Sequence, residues 1–184
     1  MLKKILGAIV ILLAGFAVVV AMQPAEFRIT RTVTIAAPAE QVFPLVNDLR
    51  RSAAWSPWEK LDPAMKRTYE GPAAGVGAAY AWDGNDKVGA GRLRIVESEP
   101  NARVKMQLSY TRPFEGVNTT ELVLRPQGGT TQVEWSLNGT KGFIQKGVCM
   151  FVSMDKMVGP DFEKGLGQLK SLAEAPAGGT SSAG

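Results

Sequence analysis

Residues that could carry acid–base or metal chemistry are scarce in this chain. It contains no histidine and one cysteine, Cys149. Histidine is the commonest general base and metal ligand, and a Ser-His-Asp triad requires it. A lone cysteine forms no intramolecular disulfide, and we expect this one to be buried and inert. The sequence therefore predicts no catalytic set, no metal site and no cofactor, and it favours a role other than catalysis.

Aromatic residues are more informative, because several stand at alternating positions within expected strands. Aromatic walls around an apolar cavity bind flat or lipid-like molecules, whereas ordinary core packing explains strand aromatics equally well. Methionines before the last helix suggest a ligand lid, with gap-filling or bilayer contact as alternatives. The predicted cavity-lining residues are Trp55, Trp58, Tyr80, Trp82, Met106, Tyr110, Trp135, Phe151, Met154 and Phe162.

The charge pattern argues against nucleic acid as a partner. The chain has 21 basic and 17 acidic residues and a net charge of +4. The basic residues are scattered among acidic ones, and no Lys/Arg stripe is interleaved with aromatics. Arg92 and Arg94 lie on one expected strand, where we expect wet-face charges; a buried arginine holding a ligand carboxylate is the alternative.

The N-terminus carries an uncharged run from Ile5 to Met22, preceded by Lys3 and Lys4. Eighteen helical residues rise roughly 27 Å, enough to span a hydrocarbon core. We expect an uncleaved membrane anchor over residues 5–22. Lysines before the span predict a cytoplasmic N-terminus with the domain on the outer, periplasmic side of a bacterial membrane. The alternative is a cleaved signal peptide and a secreted domain.

The pattern after the anchor predicts the elements that must position the aromatics. Residues 27–35 alternate as a half-buried strand, Pro38 opens a short helix, and Asn47 or Asp48 caps a second one. Six further strands follow up to Asn138. An amphipathic helix then carries Phe162, Leu166 and Leu169 on one face; Gly159-Pro160 marks its start, or a kink in a longer helix from about Ile144. A one-faced antiparallel sheet curled around this helix leaves a cavity wherever the helix does not fill it.

Three stretches together resemble the START-like (SRPBCC, helix-grip) superfamily, and within it the polyketide cyclase/dehydrase-related group. They are VTIAAPAEQVFPLVNDLRRSAAWSPW from Val33, the strand series with its Gly-rich part from Gly75 to Trp82, and MDKMVGPDFEKGLGQLKSLAE from Met154. The resemblance covers residues 27–174. It implies an α+β fold with a seven-stranded curved antiparallel sheet around a long C-terminal helix, two short helices after the first strand, and an internal ligand cavity.

These observations predict three segments and leave three functions open. Residues 1–24 are the expected anchor and linker, 25–174 the domain, and 175–184 a disordered tail rich in Ala, Gly and Ser. The leading hypothesis is a membrane-anchored domain that binds a hydrophobic small molecule such as a lipid, quinone or isoprenoid. The alternatives are a polyketide cyclase or dehydratase enzyme, which this fold can build from few acid–base groups, and a cell-envelope interaction module whose cavity is filled.

Overall fold

A long C-terminal helix packed against a seven-stranded antiparallel sheet forms the core of the chain. The computed structural model describes residues 1–176, so most of the expected tail, from residue 177 onward, lies outside the described residues. The predicted α+β helix-grip architecture is confirmed. The elements, in chain order, are α1 (Leu2–Met22), β1 (Glu26–Ile35), α2 (Ala39–Asn47), α3 (Leu49–Ser52), a 3-10 helix (Pro57–Lys60), β2 (Lys66–Glu70), β3 (Ala79–Asp83), β4 (Ala90–Glu99), β5 (Arg103–Arg112), β6 (Gly116–Gln127), β7 (Thr130–Thr140), α4 (Phe143–Cys149) and α5 (Met154–Ala173).

The strands follow the order β1-β7-β6-β5-β4-β3-β2, and every neighbouring pair is antiparallel. Strands β2 to β7 are therefore a run of hairpins, and β1 is added beside the last strand. A register shift between Ile95 and Glu97 interrupts the β4–β5 pairing. Such a bulge bends the strand that carries it, and bending of this kind gives the sheet its concave face.

The start of β1, the end of β7, the β3–β4 loop and the β5–β6 connection all lie at one end of the sheet. Glu26 at the start of β1 pairs with Thr140 at the end of β7, and Asp83 at the end of β3 pairs with Ala90 at the start of β4. The β5 end and the β6 start lie there too, because Tyr110 pairs with Gly116. We call this end, where the chain enters from α1, the entry end.

The alternation read from the sequence places the core correctly. Val133, Trp135 and Leu137 on β7 are buried, as are Val104 and Met106 on β5. Side chains on successive strand positions point to opposite faces, so these residues share the concave face. Helix α5 covers that face with the buried residues Phe162, Leu166, Leu169 and Ala173.

The start of the closing helix differs from both placements expected from Gly159-Pro160. Helix α5 begins at Met154, and the Ser153 hydroxyl caps it by accepting a hydrogen bond from the Lys156 N–H at 3.3 Å. Pro160 lies inside the helix. Residues 143–149 form a separate helix, α4, because residues 150–153 leave helical conformation between the two.

Helix α1 projects from the domain and contacts it only through its last turn. Of its residues Val20 alone is buried, at 1% exposure. Its methyl groups lie against Gly147 of α4, and the Lys146 Nζ donates a hydrogen bond to the Ala21 carbonyl at 3.2 Å. The helix is long and apolar enough to cross a membrane, a property that it shares with signal sequences.

Candidate ligand cavity

A cavity of about 360 Å³ lies between the concave face of the sheet, α5 and the segment formed by α3 and the 3-10 helix. Small-molecule sites in proteins have volumes of this order. Its walls are mostly aliphatic and aromatic. The apolar lining comprises Leu49, Trp55, Trp58, Met65, Trp82, Val88, Leu93, Met106, Leu108, Leu122, Trp135, Leu137 and Phe162, with the rings of Tyr80 and Tyr110.

Eight of the ten residues predicted from the sequence line this cavity: Trp55, Trp58, Tyr80, Trp82, Met106, Tyr110, Trp135 and Phe162. The other two are not among the lining residues. Phe151 is 80% exposed in the turn between α4 and α5. Met154 is the first residue of α5 and packs at the margin of the core. Both were placed on the assumption that this segment folds over the pocket, whereas it lies outside it.

One wall is a cluster of four rings around Trp135. The Trp135 ring stacks on Phe162, with centroids 4.0 Å apart and planes 15° apart. Trp55 and Trp58 meet Trp135 edge-on at 5.3 and 5.8 Å. Trp55, Trp135 and Phe162 are also buried core residues. Core packing and cavity lining are therefore both correct descriptions of these aromatics, since the rings pack in the core and also form part of the cavity wall.

A second aromatic row crosses the sheet near the entry end. Trp82 on β3 stacks with Tyr80 at 5.8 Å and meets Tyr110 on β5 edge-on at 5.9 Å. Gly91 on the intervening strand makes this possible, because a Cβ there would stand 2.7 Å from the Trp82 ring. The indole therefore lies across the bare backbone of β4. The glycine is paired in register with Trp82 on one side and Tyr110 on the other.

A carboxylate forms the main polar group within the apolar walls. The Tyr80 hydroxyl donates to Glu59 Oε1 at 2.7 Å, and Arg67 Nε donates to Glu59 Oε2 at 2.7 Å. Burial and the neighbouring Glu59 raise the pKa of Tyr80 above its ordinary value. The phenol is therefore neutral, and it holds Glu59 in one orientation at the cavity wall.

Of the indole and phenol donors that line the cavity, two have no protein partner within residues 1–176. The indole N–H groups of Trp55, Trp82 and Trp135 donate to Leu45 O, Val88 O and Thr120 Oγ1. The Trp58 N–H and the Tyr110 hydroxyl make no such bond. Burial raises the pKa of Tyr110, so its hydroxyl keeps its proton. These two groups are available to a ligand oxygen.

Charged side chains gather where the cavity reaches the entry end. Asp86 and Lys87 of the β3–β4 loop contribute to the lining, as does Arg112 at the end of β5. Arg112 is held by Asp83 and by the Gly84 carbonyl, the latter at 2.9 Å. Among the described residues no group of three potential metal ligands comes together. Cys149, expected to be buried, is partly exposed on α4.

A family model described as polyketide cyclase / dehydrase and lipid transport matches residues 26–174. The chain belongs to this family. The matched segment contains the whole sheet, both walls of the cavity and the closing helix. Among curated proteins, no significant match is found.

Several solved structures share the fold of this chain. A protein from Chromobacterium violaceum is 19% identical, with a TM-score of 0.54, over 82% of this chain and 97% of that one. A protein from Mesorhizobium loti is 15% identical, with a TM-score of 0.58, over 82% and 99%. The Aha1 dimer from Colwellia psychrerythraea is 17% identical, with a TM-score of 0.59, over 83% and 99%. At these identities the likeness concerns the fold.

Sequence reasoning missed the polar group of this polyketide cyclase / dehydrase and lipid transport family member. Glu59 lies on the 3-10 helix and Arg67 on β2, and they meet Tyr80 of the neighbouring strand β3 only in the folded sheet. A signal was present in the phase of β2, since Arg67 alternates with Tyr69, whose ring packs on Tyr80 at 5.1 Å. That phase alone places Arg67 on the inner face.

Proposed function

We propose that this protein is a membrane-tethered carrier domain that binds a hydrophobic small molecule of the lipid, quinone or isoprenoid class. The observation that carries the proposal is the cavity of about 360 Å³ with aromatic and aliphatic walls. Protein interiors leave few voids larger than a water molecule, so an apolar cavity of this size supports a binding site over a packing defect. The open volume also favours binding over the alternative of an interaction module with a filled cavity.

The polar groups suggest how such a molecule is oriented. An apolar body would lie between Trp82 and the Trp135 cluster. One oxygen of the ligand, such as a quinone carbonyl or a lipid hydroxyl, would accept from the Tyr110 hydroxyl or the Trp58 N–H. A few donors placed within an apolar wall are what fixes orientation in sites of this kind.

The tether in this proposal is α1, with residues 25–174 as the domain. The exposed apolar surface of α1 matches a bilayer span, and Lys3 and Lys4 would hold the N-terminus on the cytoplasmic side. The domain would then lie on the outer side. A secreted domain released by cleavage near Gln23 is the alternative that fractionation of cells would reveal.

The direct test is native mass spectrometry of the full chain, released from detergent, to detect a co-purified hydrophobic molecule. The variant Leu108→Trp should fill the cavity from its wall and lose the bound mass. The matched variant Leu172→Trp changes a 39% exposed residue on α5 and should keep it. A wild-type protein that carries nothing, and binds neither a short-chain quinone nor a fatty acid, would refute the carrier function.

An enzymatic function is the second candidate, and the Glu59–Tyr80 pair is what favours it. A carboxylate can accept a proton from a substrate carbon next to a carbonyl. The Tyr80 hydroxyl, which donates its one proton to Glu59 in this structure, would have to turn from Glu59 to the developing oxyanion to stabilise it. A polyketide-like substrate would supply both the acidic C–H bond and the adjacent carbonyl. If this is the function, Glu59→Gln should abolish turnover of such a substrate while leaving its binding intact.

A further inference from the structure

Helix α4 and the turn after it expose an unusual run of large apolar side chains. Ile144 is 60% exposed and Phe151 80%. Large apolar residues on a protein surface normally stand singly among polar ones. A contiguous apolar patch marks a contact with another apolar body. The α4 patch comprises Phe143, Ile144, Val148, Met150, Phe151 and Val152.

The position of the patch is fixed by its contact with α1. Val20 of α1 packs on Gly147 of α4, and Lys146 reaches the Ala21 carbonyl. Residue 20 lies only about 3 Å along the helix axis from the end of the apolar run. Because α4 contacts Val20, α4 must lie at the boundary of any bilayer that α1 crosses.

Charge around the patch fits a lipid surface. Lys141, Lys146 and Lys156 are basic, and Asp155 is the only acidic residue between 141 and 157. Asp155 is paired with Arg31 at 2.8 Å, so it does not neutralise these lysines, and Lys146 also donates to the Ala21 carbonyl at the end of α1. Exposed Phe114 in the β5–β6 connection and Val117 at the start of β6 add apolar surface at the same end of the sheet.

We propose that the α4 patch inserts into the interfacial layer of the bilayer that α1 spans, and that it binds a membrane containing anionic lipid. Apolar side chains flanked by lysines are the composition of segments that lie in this layer. The domain is then held in one orientation with its entry end, and the Asp86–Arg112 side of the cavity, toward the lipid. This inference rests on the proposed tether.

The test uses the full chain in vesicles of phosphatidylcholine and phosphatidylglycerol. A nitroxide is attached at Phe151→Cys in a Cys149→Ser background, and its collision rates with oxygen and with a water-soluble nickel complex are compared. Oxygen concentrates in the acyl region and nickel in water. A label at Gln127→Cys, at the end of β6 and so at the opposite end of the sheet, is the reference. We expect several-fold protection from nickel at position 151, with free access of oxygen, and no protection at position 127.

A matched pair of variants separates insertion from tethering. Ile144→Asp with Val148→Asp should return the label at position 151 to nickel access, whereas Leu172→Asp should not. A carbonate-resistant protein whose label is as nickel-accessible at 151 as at 127 overturns the inference while the tether stands. Protection from nickel and oxygen together also overturns it, because a protein surface then covers the patch. Release by carbonate removes the tether, and the inference with it.

Discussion

Two glycines in α5, two residues apart, have opposite surroundings. A Cβ at Gly165 would lie 2.8 Å from the Trp135 ring and 3.2 Å from Pro57, whereas a Cβ at Gly167 meets nothing within 4 Å. We expect Gly165→Ala to lower the unfolding temperature of the full chain in detergent, because Trp135 must move from its stack on Phe162. Gly167→Ala should instead stabilise by about 0.5–1 kcal/mol, the helix-propensity difference. Equal effects at the two positions would contradict this account of the helix–sheet approach.

The Tyr110 hydroxyl offers a test of ligand contact that spares the fold. It bonds to no protein group within the described residues, so Tyr110→Phe should leave the thermal unfolding temperature nearly unchanged. If the hydroxyl holds a ligand oxygen, quinone binding should weaken by about tenfold, as for a lost hydrogen bond of about 1.4 kcal/mol. Tyr80→Phe is the comparison, since it removes a donor from Glu59 and should lower stability as well. Unchanged quinone affinity in Tyr110→Phe would exclude this contact.

Acid sensitivity should arise at the end of α5. The Glu174 carboxylate accepts from the Ala36 N–H at 2.5 Å and from Lys170 Nζ at 2.7 Å, and these bonds lower its pKa. A lowered pKa in the folded state contributes stability above the ordinary value near 4.5, and that stability is lost as pH falls through the folded-state value. Thermal unfolding between pH 6 and 3 should therefore show a smaller acid-induced loss in Glu174→Gln than in wild type. A loss of equal slope would place the acid sensitivity elsewhere, for example at Asp155.

At the scale of elements, the apolar stripe of α5 is the main partner of the sheet. Leu169 is fully buried, and Leu169→Ala should cost about 2–5 kcal/mol in the free energy of unfolding. Leu172, three residues further on, is 39% exposed, and Leu172→Ala should cost less than about 1 kcal/mol. Denaturant titration of the full chain in detergent gives both values. Similar costs at the two positions would contradict the observed orientation of the helix.

Elements with a long run of hydrophobic periodicity could be predicted from the sequence. The prediction failed for elements in which that run was short. Ten-residue strands such as β5 alternate over several turns of the pattern, so their faces could be read from the sequence. Helix α4 has seven residues and no buried side chain, and therefore leaves no apolar stripe to detect. Because α4 shows no apolar stripe, Phe151 was wrongly predicted to line the cavity and the start of α5 was wrongly predicted, at Gly159-Pro160 or near Ile144. Ser153 was the usable signal, since serine is a preferred N-cap.

The cavity shows a different limit. Alternation identifies which aromatic side chains face inward, and eight of the ten chosen residues line the volume. Whether those rings fill the space depends on distances across the sheet, such as the clearance that Gly91 gives to Trp82. Such distances depend on strand order and curvature, which a single sequence does not encode position by position.

At the scale of the whole molecule, the proposed boundary at residue 25 has a consequence for solubility. Deleting residues 1–24 should leave a cooperatively unfolding domain, because the main core cluster lies between Ile29 and Ala173. The deletion also uncovers the surface that Val20 occupies beside the α4 patch. We expect the truncated protein to self-associate, and Ile144→Asp with Val148→Asp to restore a monomer in analytical ultracentrifugation. Loss of cooperative unfolding would show that the boundary is wrong.

The place of β1 in the sheet also constrains how the molecule is made. Within residues 1–176 its one strand partner is β7, so Glu26 can pair with Thr140 only after β7 has been synthesised. Every hairpin from β2 to β7 can form as soon as its own two strands are available, whereas the first strand stays unpaired until nearly the whole domain has been synthesised. Pairing over so long a separation is slow, and an unpaired strand edge invites aggregation.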